Sequence, residues 1–259
     1  MGLSNDQKKK IKELLRSKIK GKLTNYARET SSMPFLAKIV QDDEKVAAYS
    51  FIHSVATMLG MSIYEDVAKI IAEPSSEEVA TKVKTDGTLS SSQKSVIGNI
   101  VNGLRDGTRK VNKTNETQEI LKASATNGKA QKDGNVADFY MKRKGVEYYF
   151  EIKTVKPNID VFTKSKVKLL EWIARKRKPV KTFVAFPYNP YHPEPYSRFT
   201  EQGVLEKGVE FLVGDEFWDF LGGKNTYNEL LEIFDEVGKE LKKDIDAKIK
   251  EVARTKMKV

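Results

Sequence analysis

Residues 146–153 read Val-Glu-Tyr-Tyr-Phe-Glu-Ile-Lys. On a strand, successive side chains point to opposite faces, so Val146, Tyr148, Phe150 and Ile152 share one side. Glu147, Tyr149, Glu151 and Lys153 share the other, which sets Glu151 beside Lys153 at about 7 Å along the chain. Asp138 stands thirteen positions before Glu151, in a second apolar stretch at 136–142. Arg143-Lys144-Gly145 joins the two stretches, and that spacing predicts a hairpin. The hairpin would bring the Asp138 carboxylate towards Glu151. Two converging carboxylates can hold a hard cation at about 2.1 Å, with the Ile152 carbonyl between them as a further ligand. Such a cation stabilises charge on a phosphodiester under attack. Lys153 can orient the attacking water or the scissile phosphate. The chemistry indicated is metal-assisted hydrolysis, with Mg2+ as the expected cation.

Glu-x-Lys is also a common chance pattern. On a solvated edge strand the same two residues make only a same-face ion pair of about 0.5 kcal/mol. The surrounding elements must therefore decide. Apolar spacing predicts helices at 43–59, 63–72, 90–104 and 114–124, after a basic amphipathic segment carrying Ile11, Leu14, Leu15, Ile19 and Leu23. The polar stretch containing Asp86-Gly87 reads as a turn. Strands are expected at 136–142, 146–154, 182–186 and 209–213. A helix at 163–178 falls between the second and third strands, and a long one closes the chain at 227–252. This order predicts an α/β (α+β) molecule: a mixed sheet flanked by helices, with a helical N-terminal subdomain over 1–112 and a core with a C-terminal helix over 113–259. It is not doubly wound, because the first two strands form a hairpin rather than a crossover.

At this point the residues resemble a family. Asp138…Glu151-Ile152-Lys153 is similar to the active site of the PD-(D/E)XK nucleases, whose restriction-endonuclease-like fold is a mixed sheet with helices on both sides. Ala137 stands where that pattern has proline, and Asp133 in Lys132-Asp133-Gly134 rivals Asp138 as the metal-binding aspartate. The strand position favours Asp138. Several members add a glutamate from a helix before the hairpin, a part that Glu119 or Glu116 would take here. The segments at 151–158, 183–190 and 214–218 resemble type II restriction endonucleases of the TdeIII-like group, which recognises GGNCC. The resemblance implies sequence-specific cleavage of double-stranded DNA, a homodimer acting on a palindrome, and a cognate DNA methyltransferase in the same system.

Composition agrees with a polyanionic partner. The 259 residues hold 46 Lys and Arg against 36 Asp and Glu, a net charge of +10. Between Lys164 and Lys181 eight basic residues face one acid, Glu171. Arg175, Lys176 and Arg177 are the expected phosphate or guanine contacts, joined by Lys156 and Asn158 after the strand and by Asn189 and Arg198 in a Pro-rich loop. The cations at 175–178 would equally suit a solvated helix end. With no cysteine, disulfides and thiolate zinc sites are excluded. Gly223-Lys224-Asn225 lacks the Walker A glycine and hydroxyl, so no ATP requirement is expected. His53 is expected in a helix core. No apolar run reads as a membrane span, and the lysine-rich N-terminus does not read as a signal peptide, so the cytoplasm is the expected location. Two other readings stay open on these residues: a repair or junction-resolving nuclease of the same fold, and a non-catalytic DNA-binding protein.

Overall fold

The computed structural model describes residues 2–26, 34–130, 134–153, 158–197 and 203–254. Asp133, Lys156 and Arg198 lie outside the described residues. Five strands form one sheet in the order β1 (Glu78–Lys84), β2 (Val136–Arg143), β3 (Val146–Ile152), β4 (Lys181–Phe186) and β5 (Phe211–Val213). The first three are antiparallel, and β4 and β5 run parallel to β3. Lys144 and Gly145 turn the β2–β3 hairpin with φ of 51° and 73°, the left-handed pair that matches strand twist in a two-residue loop.

Helices cover both faces, as expected. One face carries α5 (Ser91–Arg105), α6 (Lys113–Lys122) and α7 (Ile159–Lys176), packed on Tyr140, Tyr149, Val184 and Phe211. The other carries α1 (Asn5–Asn25), α4 (Tyr64–Ala72), α8 (Asp215–Gly222) and α9 (Thr226–Arg254), packed on Phe139, Phe150, Phe183 and Leu212. Alternation on β3 is thus as the sequence predicts: Tyr148, Phe150 and Ile152 enter one core and Tyr149 the other. Capping boxes start α1 at Ser4/Gln7 and α5 at Ser90/Gln93, each satisfying two backbone donors that the first turn leaves unpaired.

Three expectations change. The polar stretch before Asp86 contains β1, which pairs along β2. The ladder runs from Glu78↔Lys142 to Thr81↔Phe139 and resumes at Val83↔Ala137. Between these, Lys82 has φ 53°, and the break puts Ala80 and Val83 against the same core. That interruption of the two-residue period hid the strand. The residues at 1–112 therefore supply the sheet's edge strand as well as helices.

Secondly, following the short α2 (Pro34–Val40), α3 (Asp43–Met58), a π-helical turn (Leu59–Ile63), α4 and a short 3-10 turn (Glu73–Ser75) join into one 33-residue helix. It includes an 18-residue window of mean hydropathy 1.4, 22% of it buried, so by length and composition this stretch does reach a membrane span. Its α4 half places Val67, Ala68 and Ile71 in the sheet core, while Tyr49, Ile52 and Met61 are exposed. Thirdly, His53 lies outside the core: it is exposed and stacks on Tyr49 at 5.8 Å.

Candidate active site

β3 is the middle strand of the five, so Glu151 does not sit on a solvated edge. It is 5% exposed. The β2–β3 register pairs Phe139 with Phe150, which sets Asp138 opposite Glu151 on the face towards α7. The Ile152 N–H donates to Asp138 Oδ2 at 2.8 Å and fixes that carboxylate. Lys153 Nζ lies 2.6 Å from Glu151 Oε1. Asp138, Glu151, Ile152 and Lys153 are therefore one constellation, as their spacing suggests.

The structure adds a second cation. Lys168, one turn after Lys164 on α7, brings its Nζ to 3.5 Å from the same Oε1 of Glu151. Burial holds the Asp138 carboxyl above the ordinary carboxylate range. Lys168, the Ile152 N–H and Lys153 pull it down, and Glu151 pushes it up. Gly134, Glu151, Lys153, Lys164, Lys168 and Glu171 line one open cleft of about 890 Å³. Burial also raises the Glu171 carboxyl, against the pull of Arg175 and Lys94.

Whether these residues suit a divalent cation is decided by Glu151 Oε2. It is buried and has no hydrogen-bond partner among the described residues. A buried carboxylate oxygen left unpaired is costly, and a cation beside Asp138 would satisfy it. Among the described residues no three His, Cys, Asp or Glu side chains gather as a metal cluster. The available set is two carboxylates plus a main-chain carbonyl. That small oxygen set suits a magnesium-like ion that keeps several of its waters. The residues fit.

Glu119 and Glu116 are not brought here. Glu119 makes a two-pronged pair with Arg109 at 3.0 and 2.5 Å. Glu116 is fully buried against Lys166 at 2.5 Å. An acid on an earlier helix whose charge is felt at Asp138 is Glu65, on α4. Its charge interacts with Asp138, it is 5% exposed, and Lys82 reaches it at 3.8 Å. Sequence spacing gave no signal for Glu65 because the strand that aligns α4 with the hairpin, β1, was hidden.

The densest basic cluster is at the other end of the sheet. Arg175 is 3% exposed and pairs with Glu171 at 3.4 Å. Lys176 and Lys178 both pair with Glu147, which lies four residues, about 13 Å, back along β3 from Glu151. Arg177 ends α7 in the left-handed conformation and donates to Thr88 Oγ1 and the Ala125 carbonyl. At the Glu151 end of the sheet, Asn158 caps α7 by accepting from the Val161 N–H at 3.0 Å. Asn189 braces its own loop, donating to the Glu194 carbonyl and accepting from the Tyr191 N–H.

Comparison with known proteins fits this geometry. The chain is 28% identical to the type II restriction enzyme MjaII of Methanocaldococcus jannaschii over 228 residues, covering 79% of this chain and 60% of that protein. It thus spans less than two thirds of MjaII's length. It is 31% identical to HgiCII, a type II restriction enzyme of Herpetosiphon aurantiacus, over 77% of this chain and 75% of the relative. HgiBI of the same organism is 29% identical over 73% and 71%. The family model described as "Type II restriction endonuclease, HinfI" matches residues 3–238, a span that takes in α1, the whole sheet and the Asp138–Glu151–Lys153 constellation, so the chain belongs to the HinfI family of type II restriction endonucleases.

Proposed function

We propose that this chain hydrolyses phosphodiester bonds of double-stranded DNA at a specific sequence, using a divalent cation, Mg2+, held by Asp138, Glu151 and the Ile152 carbonyl. The observation that carries the reading is the Oε2 of Glu151, buried on a central strand with no partner among the described residues, beside a second carboxylate and a lysine. Bound there, the cation supplies charge neutralisation at the phosphate and a water of lowered pKa. The chain's own groups do the positioning. The Ile152 N–H fixes Asp138, the β2–β3 register sets the two carboxylates across from each other, and Lys153 stands ready to hold the attacking water or a non-bridging oxygen. The apolar cores on both faces of the sheet keep this constellation rigid.

The finer parts of the proposal rest on other grounds. The target GGNCC and the TdeIII-like grouping rest on the resemblance of segments 151–158, 183–190 and 214–218. A homodimer supplies two centres for two strands, and a cognate methyltransferase and cytoplasmic location accompany a restriction system. A single continuous domain is favoured over a boundary at residue 112, because β1 pairs with β2 across it. Digestion of a mapped plasmid with Mg2+ is expected to give discrete fragments sharing one terminal sequence. Random nicking, or structure-selective cutting at junctions, would contradict site-specific cleavage.

A further inference from the structure

We propose that Lys168 binds a DNA phosphate neighbouring the one that is cut, so that the centre carries two phosphate-directed lysines, one from β3 and one from α7. The inference rests on the nuclease reading above. Lys153 already pairs with Glu151 Oε1 at 2.6 Å, and Lys168 approaches the same oxygen only to 3.5 Å, too far for a good hydrogen bond. Lys168 is thus a charge held against the cleft without a tight partner of its own among the described contacts. Its side chain is 21% exposed, so it is not a freely solvated lysine.

Charge balance points to the ligand. Asp138 and Glu151 are offset by Lys153 and Lys168, Glu171 faces Arg175, and Lys164 lines the same cleft. A divalent cation at the carboxylates leaves these groups with more positive charge than one phosphodiester cancels. The adjacent phosphates along the backbone supply the remaining negative charge. Successive phosphates of a DNA strand present that charge at regular spacing.

The side chain is also held in place. Its Nζ lies 5.3 Å from the centre of the Trp172 ring. Trp172 is fully buried and donates from Nε1 to the Gly134 carbonyl at 3.0 Å. On the opposite side of α7, fully buried Lys166 binds Glu116 at 2.5 Å and both oxygens of Glu210 at 2.7 and 2.6 Å. The helix therefore cannot rotate Lys168 away from the cleft without breaking that network. The seven-residue interval from Lys168 to Arg175 is two turns, yet Arg175 is buried. The phosphate-facing part of α7 is its Lys164–Lys168 end.

The test compares wild type, Lys168→Met and Lys168→Arg, with Lys168→Gln replacing methionine if the latter lacks a cooperative thermal melt. Binding to a duplex carrying the mapped site is measured in EDTA over a range of salt. The slope of log K against log[salt] is expected to fall by about 0.9 in Lys168→Met and to return in Lys168→Arg. In single-turnover cleavage with Mg2+, Lys168→Met is expected to be slower by about 100-fold. Duplexes with one neutral methylphosphonate near the cut then locate the contact: at one position wild type and Lys168→Met should cut equally fast. An unchanged salt slope overturns the proposal, as does the same slowing on every methylphosphonate duplex or an equal loss with arginine. Failure of wild type to cut any DNA would instead defeat the nuclease reading itself.

Discussion

Burial pushes the Glu65 carboxyl up to about 7, with Lys82 and Lys18 opposing the rise and Asp138 and Asp66 adding to it. The folded protein therefore holds this proton more tightly than the unfolded chain, whose glutamate titrates near 4.5. Ionised Glu65 destabilises the fold above pH 7, and the penalty fades as pH falls from 7 to 4.5. Glu65→Gln should accordingly stabilise the metal-free protein at pH 8 by about 1–3 kcal/mol. The gain should vanish by pH 4, as read from urea unfolding at each pH. A gain of equal size at both pH values would contradict the assigned cause. At this scale, Glu151 and Lys153 were legible in the sequence because two-residue alternation alone makes them neighbours. Asp138 was legible through the hairpin spacing. Glu65 and Lys168 were not, because they stand on helices whose placement against the hairpin depends on the whole topology. Arg175 misled for the converse reason: charge density in a sequence does not reveal which cations the fold has already paired.

Elements position these residues through one buried ionic knot. Lys113 of α6 reaches Glu210 at 3.0 Å and Thr182 of β4 at 2.9 Å, while Lys166 of α7 shares Glu210 with it. Burial raises the Glu210 carboxyl, but Lys113, Lys166 and the Glu206 N–H outweigh it and leave the group below its ordinary range. Here the sign is opposite to that of Glu65. The stability contributed is present above the unfolded pKa of about 4.5 and is lost as pH falls through the folded value. Glu210→Gln leaves two buried lysines short of a partner and should cost about 3–5 kcal/mol in denaturant unfolding at pH 7. A loss under 1 kcal/mol would show that the knot does not hold α6, α7 and β4 together. The helices flanking this knot, α6 and α7, were legible from apolar spacing. β1 was not, since its lysines suit an edge strand and the left-handed Lys82 breaks the pattern on which strand recognition depends.

For the whole molecule, the order of elements was enough to predict a mixed sheet with helices on both faces, but not which surfaces stay free. The long α9 carries an apolar row along one side. In the folded chain Leu230, Ile233, Val237 and Leu241 are buried in the same core as Ile11 and Leu15 of α1, and Arg16 pairs with Glu240 at 2.8 Å. That row is consumed within the chain, so the proposed homodimer must use another face. Light scattering of the complex with target DNA is expected to give the mass of two 29.3 kDa chains plus one duplex. A mass of one chain per duplex at all concentrations would rule out the symmetric arrangement.

Asp138, Glu151 and Lys153 are the proposed cutting centre, and removal of the Glu151 carboxylate separates cutting from binding. Glu151→Ala removes the Oε2 that has no partner among the described residues, together with the Lys153 contact, while leaving the backbone ladder of β3 and the lysines of the cleft in place. With Mg2+ and a mapped plasmid, this variant is expected to yield no site-specific fragments, yet still to bind the same duplex in Ca2+ within about tenfold of wild type. Fragments produced at the wild-type rate by Glu151→Ala would contradict that assignment.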